Sequence, residues 1–242
     1  MGGATYDFEG RIVMVTGANG NLGSAVARAY AGAGANLVLV GRRKERVAQA
    51  LPELAGREGV FLAPDTDLTN AEPVTHTVQA ALARFGRIDV LANTVGGYQG
   101  GKMIHEMDVE SWEHMMALNA RSAFIISRAV IPSMLDAGHG KIIHTASRAA
   151  VSGSRKAGSY GASKAAVVNL TDTLALELKG QGINVNCVLP GTIDTPENRE
   201  AMPSADHSRW AAPEAMARIF LFLASEDADP LHGAHIPAYG LS

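Results

Sequence analysis

The sequence predicts an α/β protein built as a single doubly wound domain, with a mostly parallel seven-stranded sheet and helices on both faces. Three observations carry this. Short apolar runs alternate with helical patterns along the whole chain, which implies parallel strands joined by crossover helices. The runs are continuously apolar rather than alternating, as burial on both sides requires. At 242 residues, 47% hydrophobic and 19% charged, the chain has material for one large core, and no linker, repeat or low-complexity segment divides it.

Arg11 to Thr16 is the first β-branched run, followed by a Gly-rich turn and a helix over about Leu22 to Ala33. Asn36 to Val40 reads as strand two, Arg43 to Leu54 as its helix, and Val60 to Ala63 as strand three. Asp67-Leu68-Thr69 leads into a helix with Glu72 in its first turn, ending near Phe85-Gly86. Ile88 to Ala92 is strand four. The stretch Gly96 to Gly101 separates it from a long helix that begins near Val109 and is closed by Gly138 to Gly140. Lys141 to Thr145 is strand five, and the helix carrying Tyr160 runs to about Lys179-Gly180. Ile183 to Leu189 is strand six. After a loop, Pro213 to Ala224 reads as the last helix and Ala234 to Ile236 as a final short strand.

Charge and composition narrow the function classes. A net charge of −3 gives no reason to expect nucleic acid or an anionic membrane as partner. The single cysteine, Cys187, has no intramolecular partner and sits in a predicted strand, so a packed, inert thiol is expected. No apolar run reaches membrane-spanning length, and Met1 to Gly10 carries acidic residues without the apolar stretch of a secretory signal. A cytoplasmic enzyme or binding protein is the expectation, and no metal is expected.

Two local patterns carry chemistry. Strand one runs into Thr16-Gly17-Ala18-Asn19-Gly20-Asn21-Leu22-Gly23 and then a helix. Glycines there let backbone approach a pyrophosphate, and the helix N-terminus offers it free N–H groups and a positive dipole end. The end of strand two carries Gly41-Arg42-Arg43 and no carboxylate. An acidic residue would bond a ribose 2′-hydroxyl, whereas arginine pairs with a 2′-phosphate, so NADP(H) is favoured over NAD(H). In the second pattern, Tyr160 stands one helical turn before Lys164, with Ser147 upstream at the end of a strand. Phenol and ammonium then share a helix face. A nearby cation lowers a phenol pKa from about 10 towards the operating pH, where proton transfer is most efficient.

Together these residues resemble the short-chain dehydrogenase/reductase family over nearly the whole chain, in its single-domain, 3-oxoacyl-carrier-protein reductase-like branch with a Rossmann fold. Besides the loop and the Ser147, Tyr160 and Lys164 set, Asp67-Leu68-Thr69 sits where the family contacts adenine. Asn93-Thr94-Val95-Gly96 is similar to the family's Asn-Asn-Ala-Gly, Asn119 lies in the long helix, and Pro190-Gly191-Thr192-Ile193-Asp194-Thr195 matches the segment over the nicotinamide. The resemblance implies hydride transfer between NADP(H) and a small carbonyl or secondary alcohol. Tyr160 would act as general acid/base, Lys164 would lower its pKa and hold the ribose, Ser147 would bond the substrate oxygen, and Asn119 would position Lys164. Cofactor contacts are implied for Gly17, Asn19, Gly20, Asn21, Leu22, Arg42, Arg43, Asp67, Leu68, Asn93, Gly96, Tyr160, Lys164, Pro190, Gly191, Ile193 and Thr195. It also implies a dimer or tetramer assembled through the helices after strands four and five, to which Ile125, Val130, Val167, Leu170 and Leu174 are suited unless they serve an internal core. Asn21 departs from the family, standing where short members carry their middle glycine, and so does the Ile236-Pro237-Ala238-Tyr239-Gly240 ending. The alternative reading is a nucleotide-sensing protein of the same fold without turnover.

Specificity is expected from loops at the carboxyl ends of the strands, with the region of about residues 192–225 forming the substrate side. Tyr98, Gln99, Arg148 and Arg155 are expected to look into the cleft. Arg148, next to Ser147, suggests a substrate bearing a carboxylate or phosphate. His144, within strand five, reads as a packing histidine.

Overall fold

The apolar runs become seven strands: β1 (Ile12–Thr16), β2 (Asn36–Val40), β3 (Val60–Leu62), β4 (Val90–Asn93), β5 (Gly140–Thr145), β6 (Ile183–Pro190) and β7 (His235–Ala238). The computed structural model describes residues 5–241. Residues 1–4, the start of the segment read as lacking a secretory signal, and residue 242 lie outside it. The strands form one sheet in the order β3-β2-β1-β4-β5-β6-β7. Every pairing is parallel, so the sheet is parallel throughout rather than mostly so.

Helices cover both faces: α1 (Asn21–Gly32), α2 (Lys44–Ala50), α3 (Ala71–Phe85), α4 (Val109–Met115), α5 (Ser122–Ala137), α6 (Gly158–Glu177), α7 (Pro196–Ala201) and α8 (Pro213–Ala224). Alternate strand residues feed opposite cores. Val13 and Val15 face α1 and α8, where Tyr30 and Phe220 are fully buried. Ile12 and Met14 face the layer of α3, α5 and α6, with Val74, Ile126, Met134 and Leu174. Each such large apolar side chain contributes roughly 1.5–3 kcal/mol on burial.

Several boundaries differ from the sequence expectation for identifiable reasons. α2 stops at Ala50 instead of Leu54, because Leu51 precedes Pro52 and leaves the helical region (φ −133°, ψ 56°). β7 runs on through Pro237, which an edge strand tolerates. The segment after β6, read as a loop, contains α7, capped by the Thr195 hydroxyl accepting from the Asn198 N–H (3.2 Å). The long helix from Val109 forms, but a π turn over Met116–Arg121 interrupts it between α4 and α5. Ile125, Val130, Val167 and Leu174 are buried within the chain, and Leu170 packs partly buried against the two clusters they belong to. They serve the internal core of the chain. Among the described residues no helix is long and apolar enough to cross a membrane.

Candidate active site

The strand order reverses direction between β1 and β4, and a crevice outside the strands' carboxyl ends follows from that topology. It consists of two adjoining clefts, of about 780 Å³ and 490 Å³, which share Gly17, Gly20, Thr94 and Gly96.

The Gly-rich loop between β1 and α1 forms their common wall. A Cβ at Gly23 would overlap the Gly17 carbonyl, so only glycine lets α1 start this close to β1. Gly20 caps α1 without a side-chain bond and the first turn holds no acidic residue, which leaves the leading N–H groups open to an anion. Asn21 is the first helical residue, not a left-handed one, so the missing glycine costs the loop no backbone strain. Its amide donates to Glu197 of α7 (2.7 Å), tying the loop to the segment across the cleft. These features fit a dinucleotide pyrophosphate.

The smaller cleft is lined by Asn19, Arg42, Arg43, Asp67 and Leu68. It also holds Arg46, one turn into α2, which sequence reasoning missed although it follows Arg42 at helical spacing. Asp67 accepts bonds from the Thr69 N–H (3.0 Å) and hydroxyl (2.8 Å), which hold its pKa below the ordinary value, with a further pull from Arg42.

The larger cleft contains Ser147, Tyr160 and Lys164 beside Leu22, Pro190, Gly191, Ile193 and Thr195. Ser147 ends β5's loop in extended backbone, and Tyr160 and Lys164 share the inner face of α6. A hydrogen bond links Ser147 to the Tyr160 phenol. Burial raises the Tyr160 pKa above its usual value; the Ser147 bond lowers it, and Tyr98 raises it further. The expected depression by Lys164 is not realised. Lys164 is itself so buried that its pKa falls to about 8, and its ammonium is held by the Thr145 carbonyl (2.8 Å). A Cβ at Gly96 would lie 2.7 Å from the Lys164 Nζ and 2.8 Å from the Asn119 Oδ1, so only glycine leaves room for both groups at this point of the backbone.

Asn119 and Asn93 lie outside the linings of both clefts. The π turn aims the Asn119 side chain inward, where its Oδ1 accepts from the Gly97 N–H (3.0 Å) and its Nδ2 donates to the Gly97 carbonyl (3.1 Å) and Ser163 (3.0 Å). Ser163 in turn donates to the Tyr160 carbonyl (2.8 Å), a connection the sequence offered only as a polar residue inside Tyr-Gly-Ala-Ser-Lys. Asn93 is buried, with its Oδ1 taken by Thr16 (2.6 Å) and its Nδ2 by His144 (3.1 Å). Gln99 also points elsewhere, donating to Ser111 (3.2 Å) from an exposed position. Tyr98, Arg148 and Arg155 do line the larger cleft. The Tyr98 ring meets Tyr160 edge-on at 5.0 Å, and the Arg148 guanidinium lies over the Tyr239 ring at 5.7 Å. His144 is buried as a packing residue, and burial of Cys187 pushes its thiol up to about 12.

Known proteins share this architecture. The family model described as short chain dehydrogenase matches residues 11–206. The chain is 30% identical to the 3-oxoacyl-[acyl-carrier-protein] reductase FabG of Thermotoga maritima, over 93% of this chain and 94% of that one. It is 33% identical to the D-threitol dehydrogenase of Mycolicibacterium smegmatis, over 96% and 93%. A short-chain type dehydrogenase/reductase from Mycobacterium ulcerans superposes with a TM-score of 0.91 at 30% identity, covering 97% of this chain and 90% of the other. The chain therefore belongs to the short-chain dehydrogenase family and is an NAD(P)-dependent oxidoreductase.

Proposed function

We propose that this protein interconverts a small carbonyl compound and the corresponding secondary alcohol, using NADP(H) in preference to NAD(H). The observation that carries the reading is the joining of Ser147 and Tyr160 in the wall of the cleft that also holds Lys164 and the Gly-rich loop. Gly17, Gly20, Asn21 and Leu22 would hold the pyrophosphate, and Asp67 and Leu68 the adenine end. Pro190, Gly191, Ile193 and Thr195 would flank the nicotinamide. When bound, the nicotinamide supplies or accepts the hydride.

The chain's own residues manage the oxygen. Ser147 donates a hydrogen bond to it, and Tyr160 gives it a proton during reduction or takes one during oxidation, meeting the charge that develops there. Lys164, buried with a pKa of about 8, is poised to exchange a proton near neutral pH. Asn119 acts through Gly97 and Ser163, holding the Gly96-Gly97 backbone and the Tyr160 turn in place. Residues of about 192–225, α7 included, form the substrate side of a single domain spanning the chain. Cytoplasmic location and a homo-oligomeric state complete the reading.

Arg42 and Arg43, with Arg46 beside them, support the NADP(H) preference, since guanidinium pairs with a 2′-phosphate. The test is a panel of carbonyls and alcohols run with NADPH/NADP⁺ and NADH/NAD⁺. Turnover should be at least about tenfold more efficient with the phosphorylated cofactor, the worth of one charge-assisted pair. Equal or better rates with NADH contradict the arginine argument. Cofactor binding without turnover of any member of the panel favours a nucleotide sensor instead.

A further inference from the structure

We propose that the substrate is a keto- or hydroxy-acid whose carboxylate is received by Arg155; this rests on the oxidoreductase reading above. The charge of the larger cleft leads to it. Its lining carries Arg148, Arg155 and Lys164 and, among the described residues, no aspartate or glutamate, in a chain whose net charge is −3. Cationic walls of this kind concentrate anions and select for them. Lys164 belongs to the reacting centre, and Arg148, the arginine the sequence singled out, has its guanidinium placed over Tyr239. Arg155 is different. It is exposed, lines the cleft, and makes no ion pair or side-chain hydrogen bond among the described residues.

The backbone around Arg155 is held in place. Lys156, the next residue, adopts a left-handed conformation (φ 62°), which a non-glycine side chain accepts only when its surroundings impose it. The restraints are a bond from the Gly101 N–H to the Lys156 carbonyl (2.8 Å) and one from the Ala157 N–H to the Ser154 carbonyl (3.2 Å). The guanidinium is therefore presented from a fixed point, five residues before Tyr160, in the wall shared with Ser147. A planar fork in that place suits a carboxylate bidentately. The carbonyl or alcohol carbon would then lie between the Tyr160 phenol and the carboxylate, which favours acids over neutral ketones of the same size.

The test compares matched pairs with the wild type and with Arg155→Gln: acetoacetate against acetoacetamide, levulinate against levulinamide, and dihydroxyacetone phosphate against dihydroxyacetone. The proposal predicts that wild-type kcat/KM favours the acid of a carboxylate pair by about tenfold or more, the size of a charge-assisted hydrogen bond. Arg155→Gln removes that preference by raising KM for the acid far more than KM for the amide. Equal wild-type efficiency for acid and amide overturns the proposal and leaves the oxidoreductase reading intact. So does an Arg155→Gln variant that retains the acid preference. A preference confined to the phosphate pair overturns the carboxylate assignment. A wild type that turns over no member of any pair, nor of the wider carbonyl panel, contradicts both readings.

Discussion

Burial governs the chemistry of individual side chains in this protein. His144 shows it most simply. Its Nδ1 accepts from the Asn93 amide, because that nitrogen carries only hydrogens, so its Nε2 bears the proton that faces the Ser127 hydroxyl (3.2 Å). Ser127 passes its own hydrogen to the Ala123 carbonyl (2.7 Å). The neutral tautomer satisfies every partner, and burial, aided by the Lys164 charge, lowers the imidazole pKa to about 4. A depressed folded-state pKa supplies stability that is full above the ordinary value of about 6.5 and is lost as pH falls through about 4. Between pH 7 and 5, wild type should lose about 2 kcal/mol through this residue, read by urea unfolding. A His144→Gln variant, weaker at pH 7, should lack that part of the slope. An identical slope in the variant contradicts the assignment. The neighbouring Lys164 follows the same logic, since burial lowers its pKa to about 8 while the Thr145 carbonyl accepts from its ammonium (2.8 Å).

Individual helices and strands show where sequence reasoning reaches its limit. Glycines marked the ends of α3 and of the long helix that closes with α5, since Gly86 and Gly138 end them in left-handed backbone (φ 80° and 65°). Pro52 stands in the sequence, yet the expected helix runs past it to Leu54, whereas α2 stops at Ala50. The π turn around Asn119 was not legible, because a one-residue expansion is imposed by what the asparagine bonds to across the molecule and leaves no trace in the period. Nor could the sequence divide the apolar residues of α5 and α6 between core and partner. The structure places Ile125, Val130, Val167 and Leu174 inside and leaves Phe124 and Leu176 at 52% and 75% exposure. Those two support assembly through the outer faces of these helices. Sedimentation should find wild type as a dimer or tetramer, and Phe124→Glu with Leu176→Glu as a smaller folded species. A monomeric wild type contradicts this.

At the scale of the whole molecule, topology explains why distant residues meet. The parallel order with its reversal between β1 and β4 brings the loop after β1, the turn after β4, the end of β5 and the segment after β6 to one crevice. That Ser147, Tyr160 and Lys164, the proposed catalytic triple, share one cleft was legible because their spacing is local to β5 and α6. The contacts of Asn93, Asn119 and Gln99 were not, since each depends on which side of a strand or turn faces the crevice. The charge of the larger cleft, by contrast, comes from one stretch, since Arg148, Arg155 and Lys164 all follow β5 and are brought to the crevice by the start of α6.

The central claim is that Tyr160 moves the proton at the reacting oxygen. It is tested most directly by single-turnover reduction of a carbonyl substrate by the Tyr160→Phe variant at saturating NADPH. With the cofactor still bound at wild-type affinity by fluorescence titration, the chemical step should slow by about 10²–10⁴-fold, the usual contribution of a positioned general acid. A variant that binds cofactor normally and reduces the carbonyl within about threefold of the wild-type rate contradicts the account, since losing a positioned proton donor costs far more than that.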